Sequence, residues 1–161
     1  MATVEVTFTP LPVHVRTARL IATAVARRSG VAESLLDEVR LAVGEACSRA
    51  VEAHLRHCPG EPIRVALTDD GERFEVVVTD AVPDAGHGKP AGTVAVDGNH
   101  AVPPAAPAGF GAGLAASDGE VPLQLPAEVG LAVIAGLADD VRVAPAGAGT
   151  SVTMSWKRRT A

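Results

Sequence analysis

Aromatic side chains are nearly missing from this 161-residue sequence, which has three Phe, one Trp and no Tyr. A stacking platform for single-stranded nucleic acid needs several aromatic rings, so that kind of site is excluded. Cationic side chains are also in the minority, because 14 Lys and Arg stand against 19 Asp and Glu, a net charge of -5. Binding to a phosphate backbone depends on clustered Lys and Arg, so direct nucleic-acid binding is not expected.

Long apolar runs are missing too. No stretch approaches the roughly 18 uncharged residues of a membrane-spanning helix. The opening residues, MATVEVTF, lack the basic and then apolar pattern of a secretory signal. The two cysteines, Cys47 and Cys58, lie on one predicted helix about 16 Å apart along its axis, too far to bond to each other. These features predict a reduced, soluble, cytoplasmic protein without membrane contact.

The apolar residues that are present repeat with clear periods in the first half of the chain. Alternation predicts strands, and spacings of three and four predict amphipathic helices. Ser29 and Gly30 are expected to close the first helix, and Asp69-Asp70-Gly71 to form a hairpin turn. The predicted elements are a strand over residues 3–8, helices over residues 13–28 and 33–57, and strands over residues 63–68 and 74–79.

Composition changes after Asp80. Residues 81–126 contain eight Gly and seven Pro in 46 positions, with five charged side chains. Such a segment has too few large apolar residues to offset its ordering entropy by burial, so a mobile loop or lid is predicted. Beyond it, the sequence predicts a helix over residues 127–138, a strand over residues 141–144, a PAGAG turn and a last strand over residues 150–156.

This order of elements predicts the fold class. Helices on one face of a mixed, mainly antiparallel sheet would bury all the apolar stripes together. We therefore expect a single α+β domain over residues 1–161, built as a two-layer sandwich.

The helical segment over residues 37–54, DEVRLAVGEACSRAVEAH, carries Glu45 and Arg49. Residues four apart project from one helix face, so these two charges are expected to meet. The segment resembles the first motif, roughly GEAxxNAVEHA, of the anti-sigma-factor serine kinases in the Bergerat-fold (histidine-kinase-like) ATPase superfamily. The predicted order of elements matches that fold, and the resemblance covers nearly the whole chain outside residues 81–126.

The resemblance implies a role for each of these charges. Glu45 matches the family's catalytic acid, and Arg49 stands where the family has the asparagine that binds the Mg²⁺ of Mg-ATP. A guanidinium has no lone pair to give to a metal. Arg49 would therefore occlude the metal position, or else bind a phosphate directly; we favour occlusion. The simplest alternative is a surface ion pair with Glu45, worth about 0.3 to 0.5 kcal/mol.

The family's other motifs are partly retained. In the second, close to DxGxG, Asp80 matches the aspartate that accepts a hydrogen bond from adenine, but Val82 and Asp84 replace the glycines. In the third, near GxGL, Gly130 and Leu131 are retained while Glu128 replaces the first glycine, and its charge would oppose a phosphate. Thr150 matches a family threonine near the adenine. Taken alone, Asp80 and Thr150 are also ordinary residues for a strand end and a strand start.

Three other patterns were weighed. The sequence GFGAGL over residues 109–114 lacks a preceding strand, so a linker is favoured over a phosphate loop. Cys47, His54 and Cys58 share one helix face, but structural zinc draws tetrahedral ligands from several elements, so a buried thiol and helix-end histidines are favoured. A Cys-His nucleophile is weakly supported, because nothing locates an oxyanion hole.

Three hypotheses follow. The favoured one is a regulator resembling anti-sigma factors, which binds a sigma factor or a STAS-domain anti-anti-sigma protein, with contacts over residues 13–28 and a possible homodimer. It would need no ATP chemistry, Mg²⁺ or other metal. The second is an active serine kinase that phosphorylates its anti-anti-sigma partner, with Glu45 as base and Arg49 holding phosphate. The third, a hydrolase or metalloenzyme, would require stoichiometric metal.

Overall fold

The computed structural model describes residues 1–83 and 127–158, except for the side chains of residues 127 and 128. The order of elements predicted from the sequence is confirmed, whereas the prediction for residues 81–126 falls, from residue 84 onward, outside the described residues. In chain order the elements are β1 (Ala2–Phe8), α1 (Pro12–Arg28), a 3₁₀ turn (Glu33–Leu35), α2 (Leu36–His57), β2 (Ile63–Asp69), β3 (Arg73–Thr79), α3 (Ala127–Leu137), β4 (Asp140–Ala146) and β5 (Gly149–Lys157).

The five described strands form one sheet in the order β1-β2-β3-β5-β4. All four pairings between them are antiparallel, so the mixed component of the expected sheet is not found among these strands. The central pair, β3 and β5, comes from distant parts of the sequence, and α3 and β4 lie between them along the chain. This pairing brings the end of β3 next to the start of β5, with Thr79 opposite Ser151.

The core lies between this sheet and a layer of three helices, as the two-layer prediction requires. Helix α2 occupies the middle of the layer, with α1 packed on one side and α3 on the other. Trp156 and Phe74 lie opposite each other on β5 and β3, with ring centroids 6.3 Å apart. The buried apolar side chains of the strands alternate along β2, β3 and β5; they are Ile63, Val65, Leu67, Phe74, Val76, Val78, Val152, Met154 and Trp156.

The predicted end of α1 is confirmed in detail. Gly30 has φ +79°, the left-handed conformation that a helix end favours in glycine. Its N–H donates to the carbonyl of Arg27, and the N–H of Val31 donates to the carbonyl of Ala26. None of the helices that the structure describes is long and apolar enough to cross a membrane.

The turn between β4 and β5 is shorter than predicted. Pro145 and Ala146 belong to β4 and Gly149 belongs to β5, which leaves Gly147 and Ala148 between the strands. Proline has no N–H to donate, but β4 is the last strand of the sheet and Pro145 is tolerated there. Gly147 has φ +58°, which a tight hairpin turn requires.

Candidate functional site

The predicted site residues of α2 and α3 are in contact. Glu45 and Arg49 are half-buried on the face of α2 that meets α3, where Gly130 is buried in the first turns of the helix. A Cβ atom on Gly130 would lie 2.5 Å from Glu45 Oε1 and 3.0 Å from Arg49 Cδ. Glycine at this position therefore lets α3 approach the two charged side chains.

Arg49 does not form the surface ion pair with Glu45 that was the simplest alternative from the sequence. Among the ion pairs within 4.0 Å in the described part of the chain, none joins Glu45 to Arg49. The Arg49 Nε atom is buried and has no hydrogen-bond partner there. The surface ion pair is therefore not what the structure shows, because the Arg49 side chain packs with its stem against Gly130.

The electrostatic surroundings of Arg49 are acidic. Burial lowers the pKa of the guanidinium from its ordinary value, while the carboxylates of Glu45, Asp80 and Glu52 act in the opposite direction. A half-buried cation therefore faces three carboxylates, two from α2 and one from the residue that follows β3.

Asp80 lies at the exit of β3 and binds the start of β5. Its Oδ1 atom accepts hydrogen bonds from the N–H of Thr150 at 3.1 Å and the N–H of Val82 at 3.0 Å. Its own N–H donates to the carbonyl of Thr150 at 2.9 Å. Asp80 and Thr150, predicted separately from the sequence, thus form one unit.

Gly149 is a site residue that sequence reasoning missed. A Cβ atom here would lie 1.9 Å from the backbone oxygen of Asp80 and 2.8 Å from its Oδ1 atom. Only glycine allows β5 to approach Asp80 so closely. Its position directly before Thr150 is the signal in the sequence, although the PAGAG pattern places this glycine in the turn.

The remaining predicted residues differ in what surrounds them. Leu131 is half-buried and packs against the hydrophobic core, so packing alone accounts for a leucine at this position. Val82 is half-buried, and its side chain lies where the family has glycine. Asp84 and the side chain of Glu128 lie outside the described residues.

The residues of the zinc alternative have separate environments. Cys47 is fully buried, and burial raises the pKa of its thiol to about 12 despite the opposing charge of Arg19. Both ring nitrogens of His54 are engaged, Nδ1 with the carbonyl of Glu61 and Nε2 with the N–H of Ala81, each at 2.9 Å. In the described ranges, no three His, Cys, Asp or Glu side chains are arranged to hold a metal.

The site therefore combines a carboxylate with a guanidinium across a glycine, next to an aspartate fixed at a strand end. A carboxylate can accept a proton, a guanidinium can bind an anion, and a carboxylate oxygen can accept a hydrogen bond. Glu45 and Arg49 come from α2 and Gly130 from α3, whereas Asp80 follows β3 and contacts the start of β5.

Two comparisons with known proteins give matches, one to a protein family and one to a solved structure. A family model described as the histidine kinase-like ATPase domain matches residues 8–156. The crystal structure of the RsbU and RsbW domains of Rv1364c from Mycobacterium tuberculosis is similar over 97% of this chain, with a TM-score of 0.60 and 16% sequence identity. This chain spans 32% of the length of that one, and at this identity the similarity shows the fold alone. No curated protein matches the sequence.

Proposed function

Because the chain belongs to the histidine kinase-like ATPase family, we propose that it is a member acting by protein binding, without efficient use of Mg-ATP. It would resemble an anti-sigma factor in a partner-switching system, with a sigma factor or a STAS-domain anti-anti-sigma protein as partner and with the capacity to form a homodimer. The observation that carries the proposal is Arg49, which lies beside Gly130 together with Glu45. By the resemblance, Arg49 stands in place of the asparagine that binds Mg²⁺ in the family.

Charge is the first reason that Mg-ATP use would be poor. A guanidinium supplies no lone pair to a metal and remains protonated near neutral pH. Two positive centres a few Å apart repel each other, and partial burial strengthens that repulsion relative to bulk water. The acidic groups that would attract Mg²⁺ already face Arg49 instead.

Shape is the second reason. The family's second motif uses glycines so that the purine can lie against the backbone, and here Val82 adds a half-buried side chain at one of those positions. Asp80 remains at the strand end, but its Oδ1 atom is already occupied by two backbone N–H groups. The scaffold around the nucleotide position is retained while its contact surface is altered.

A second function, an ATP-dependent serine kinase acting on the anti-anti-sigma partner, is favoured by one observation. Glu45 is not ion-paired with Arg49, and no group within the described ranges accepts a hydrogen bond from the buried Arg49 Nε, so neither charge is engaged by the other. In this case Arg49 would bind phosphate directly, in the bidentate manner that arginine favours. Glu45 would accept the proton of the attacking hydroxyl.

The two functions are separated by one set of measurements on the purified chain and on a STAS-domain protein that copurifies with it. Calorimetric titration with ATP, with and without Mg²⁺, measures nucleotide binding, and labelled ATP reports phosphate transfer. The binding function predicts a stable complex with the partner in the absence of nucleotide, and no transfer. Saturable ATP binding together with transfer that Glu45→Ala abolishes would establish the kinase instead. Stoichiometric metal in the folded protein would support the third hypothesis, a metalloenzyme.

A further inference from the structure

His54 is a fully buried polar side chain that the proposed function does not use. It lies in the last turn of α2 with no exposed surface. Its Nδ1 atom is 2.9 Å from the carbonyl oxygen of Glu61, and its Nε2 atom is 2.9 Å from the backbone nitrogen of Ala81. The ring therefore joins the end of α2 and the loop before β2 to the exit of β3.

The two partners fix the protonation of the ring. A carbonyl oxygen only accepts, so Nδ1 must carry the hydrogen, and a backbone N–H only donates, so Nε2 must be unprotonated. His54 is thus a neutral imidazole with one defined tautomer. No ring nitrogen remains for a metal ion.

The bond to Ala81 continues the hydrogen bonding of β3 beyond its last paired residue. Pairing between β3 and β5 ends at Thr79 and Ser151. The next three backbone N–H groups, of Asp80, Ala81 and Val82, donate in turn to Thr150 O, His54 Nε2 and Asp80 Oδ1. His54 is the acceptor that comes from the helix layer, whereas the other two acceptors lie at the ends of the paired strands β3 and β5.

We propose that His54 is a positioning residue of the candidate site, which fixes the Asp80 carboxylate by holding the N–H of Ala81. Asp80 immediately precedes Ala81, and the same carboxylate accepts the N–H groups of Val82 and Thr150. Without His54 Nε2, the N–H of Ala81 has no acceptor and the backbone after Asp80 is free to move. The hydrogen bond between the Asp80 carboxylate and the N–H of Thr150 on β5 is then weakened. The proposal rests on the proposed function only in treating Asp80 as a site residue.

The first test measures the tautomer in the unaltered chain, so that it does not depend on how any variant folds. Imidazole ¹⁵N chemical shifts should show His54 with a protonated Nδ1 and an unprotonated Nε2 at neutral pH. His57 lies three residues further along α2 and is exposed, so it provides an internal comparison. A protonated Nε2 on His54 would overturn the proposal.

The second test compares two substitutions by amide hydrogen exchange. His54→Phe keeps a ring of similar volume but has no acceptor, and should lower protection of the Ala81 amide by roughly tenfold or more, since one buried hydrogen bond is lost. Exchange at Val82 and Thr150 should accelerate with it. His54→Gln keeps an acceptor oxygen and an NH₂ donor group on its side-chain amide and should restore most of the protection.

The control for both substitutions is His57→Phe, which should leave exchange at all three amides unchanged. Unaltered protection at Ala81 in His54→Phe, or an equal loss in His54→Gln, would contradict the positioning role. Because exchange and tautomer are measured without partner or nucleotide, these outcomes are independent of whether the proposed binding function is right.

Discussion

Arg49 is the single residue on which the proposed function depends most. Its stem packs on Gly130, its Nε atom is buried, and carboxylates surround it without a close ion pair. A surface arginine would have rotated away from a metal ion, but this one is fixed by packing between α2 and α3. Under the proposed function, this packing would keep the cation in the site whether or not a ligand is present.

Replacing Arg49 by the family's asparagine should restore affinity for Mg-ATP. Arg49→Asn removes the cation and supplies an amide oxygen that can coordinate Mg²⁺, so we expect ATP binding in Mg²⁺ to strengthen by about tenfold or more, or roughly 1.4 kcal/mol. Isothermal titration calorimetry with and without Mg²⁺ measures this. Arg40→Asn, on the same helix but ion-paired with Asp37, is the matched control and should change nothing. Loss of existing ATP binding in Arg49→Asn would mean that the arginine holds phosphate.

The two thiols provide a second prediction for individual residues. Burial raises the pKa of Cys47 to about 12, and burial followed by the charges of Glu61 and Asp80 raises the pKa of Cys58. The thiolate is the reactive form, so both should react with iodoacetamide more slowly than a free cysteine at about pH 8, and faster as the pH rises. Cys58 is partly exposed and should react first. Peptide mass spectrometry measures the order, and equal labelling of both in the native protein would contradict it.

At two places in this fold, the absence of a side chain on glycine allows two elements to come into close contact. Gly149 brings the start of β5 against the backbone of Asp80, and Gly130 brings α3 against two flexible side chains of α2. These contacts differ in kind, because a backbone atom cannot move aside as the end of a side chain can. Gly149 is therefore the stricter requirement.

Alanine substitutions should show this difference as stability. Gly149→Ala places a Cβ atom 1.9 Å from Asp80 O, so the strands must separate, and we expect the free energy of unfolding to fall by about 2 to 3 kcal/mol. Gly136→Ala on α3 is the control, since a Cβ atom at Gly136 would have no neighbouring atom within 4 Å. Alanine favours the helix more than glycine does, so this substitution should raise the free energy of unfolding by up to about 1 kcal/mol. Urea unfolding followed by fluorescence of Trp156, the sole tryptophan, measures both. Equal effects of the two substitutions would refute the close contact.

At the scale of the whole molecule, the candidate site and the exposed face of α1 are two separate surfaces. Helix α2 lies between α1 and α3, so the exposed residues of α1 are on the far side of the helix layer from Gly130. Val13 and Leu20 of α1 are 66% and 61% exposed. Partner binding at residues 13–28, which the family resemblance implies, could thus proceed without occupying the nucleotide position.

Truncation of Leu20 tests this surface. Leu20→Ala should weaken the complex with the copurified partner by about tenfold and leave stability nearly unchanged, because exposed apolar anchors contribute to binding rather than to the core. Val143→Ala is the control, since Val143 is 45% exposed on β4 at the opposite edge of the sheet. Surface plasmon resonance measures both affinities. If Val143→Ala weakened the complex more than Leu20→Ala, the partner would bind at the β4 edge of the sheet and not at α1.

Local patterns in the sequence were sufficient for the elements of the fold and for the family. The alternation in β1 and the Gly30 end of α1 depend on neighbouring residues, so they could be read directly from the sequence. The segment over residues 37–54 identified the family, and the same segment revealed Arg49 as a departure from its motif.

Only the tertiary structure decided how the site residues meet. Gly130 packs on Glu45 and Arg49, Asp80 is hydrogen-bonded to Thr150, and His54 is hydrogen-bonded to Glu61 and Ala81. These contacts join residues that are 7 to 85 positions apart in the sequence. Such contacts depend on which elements pair and pack, and not on the residues next to them in the chain. For the same reason, the alternative of a surface ion pair between Glu45 and Arg49 is not found in the described part of the chain, because Arg49 packs against α3, which no local spacing could predict.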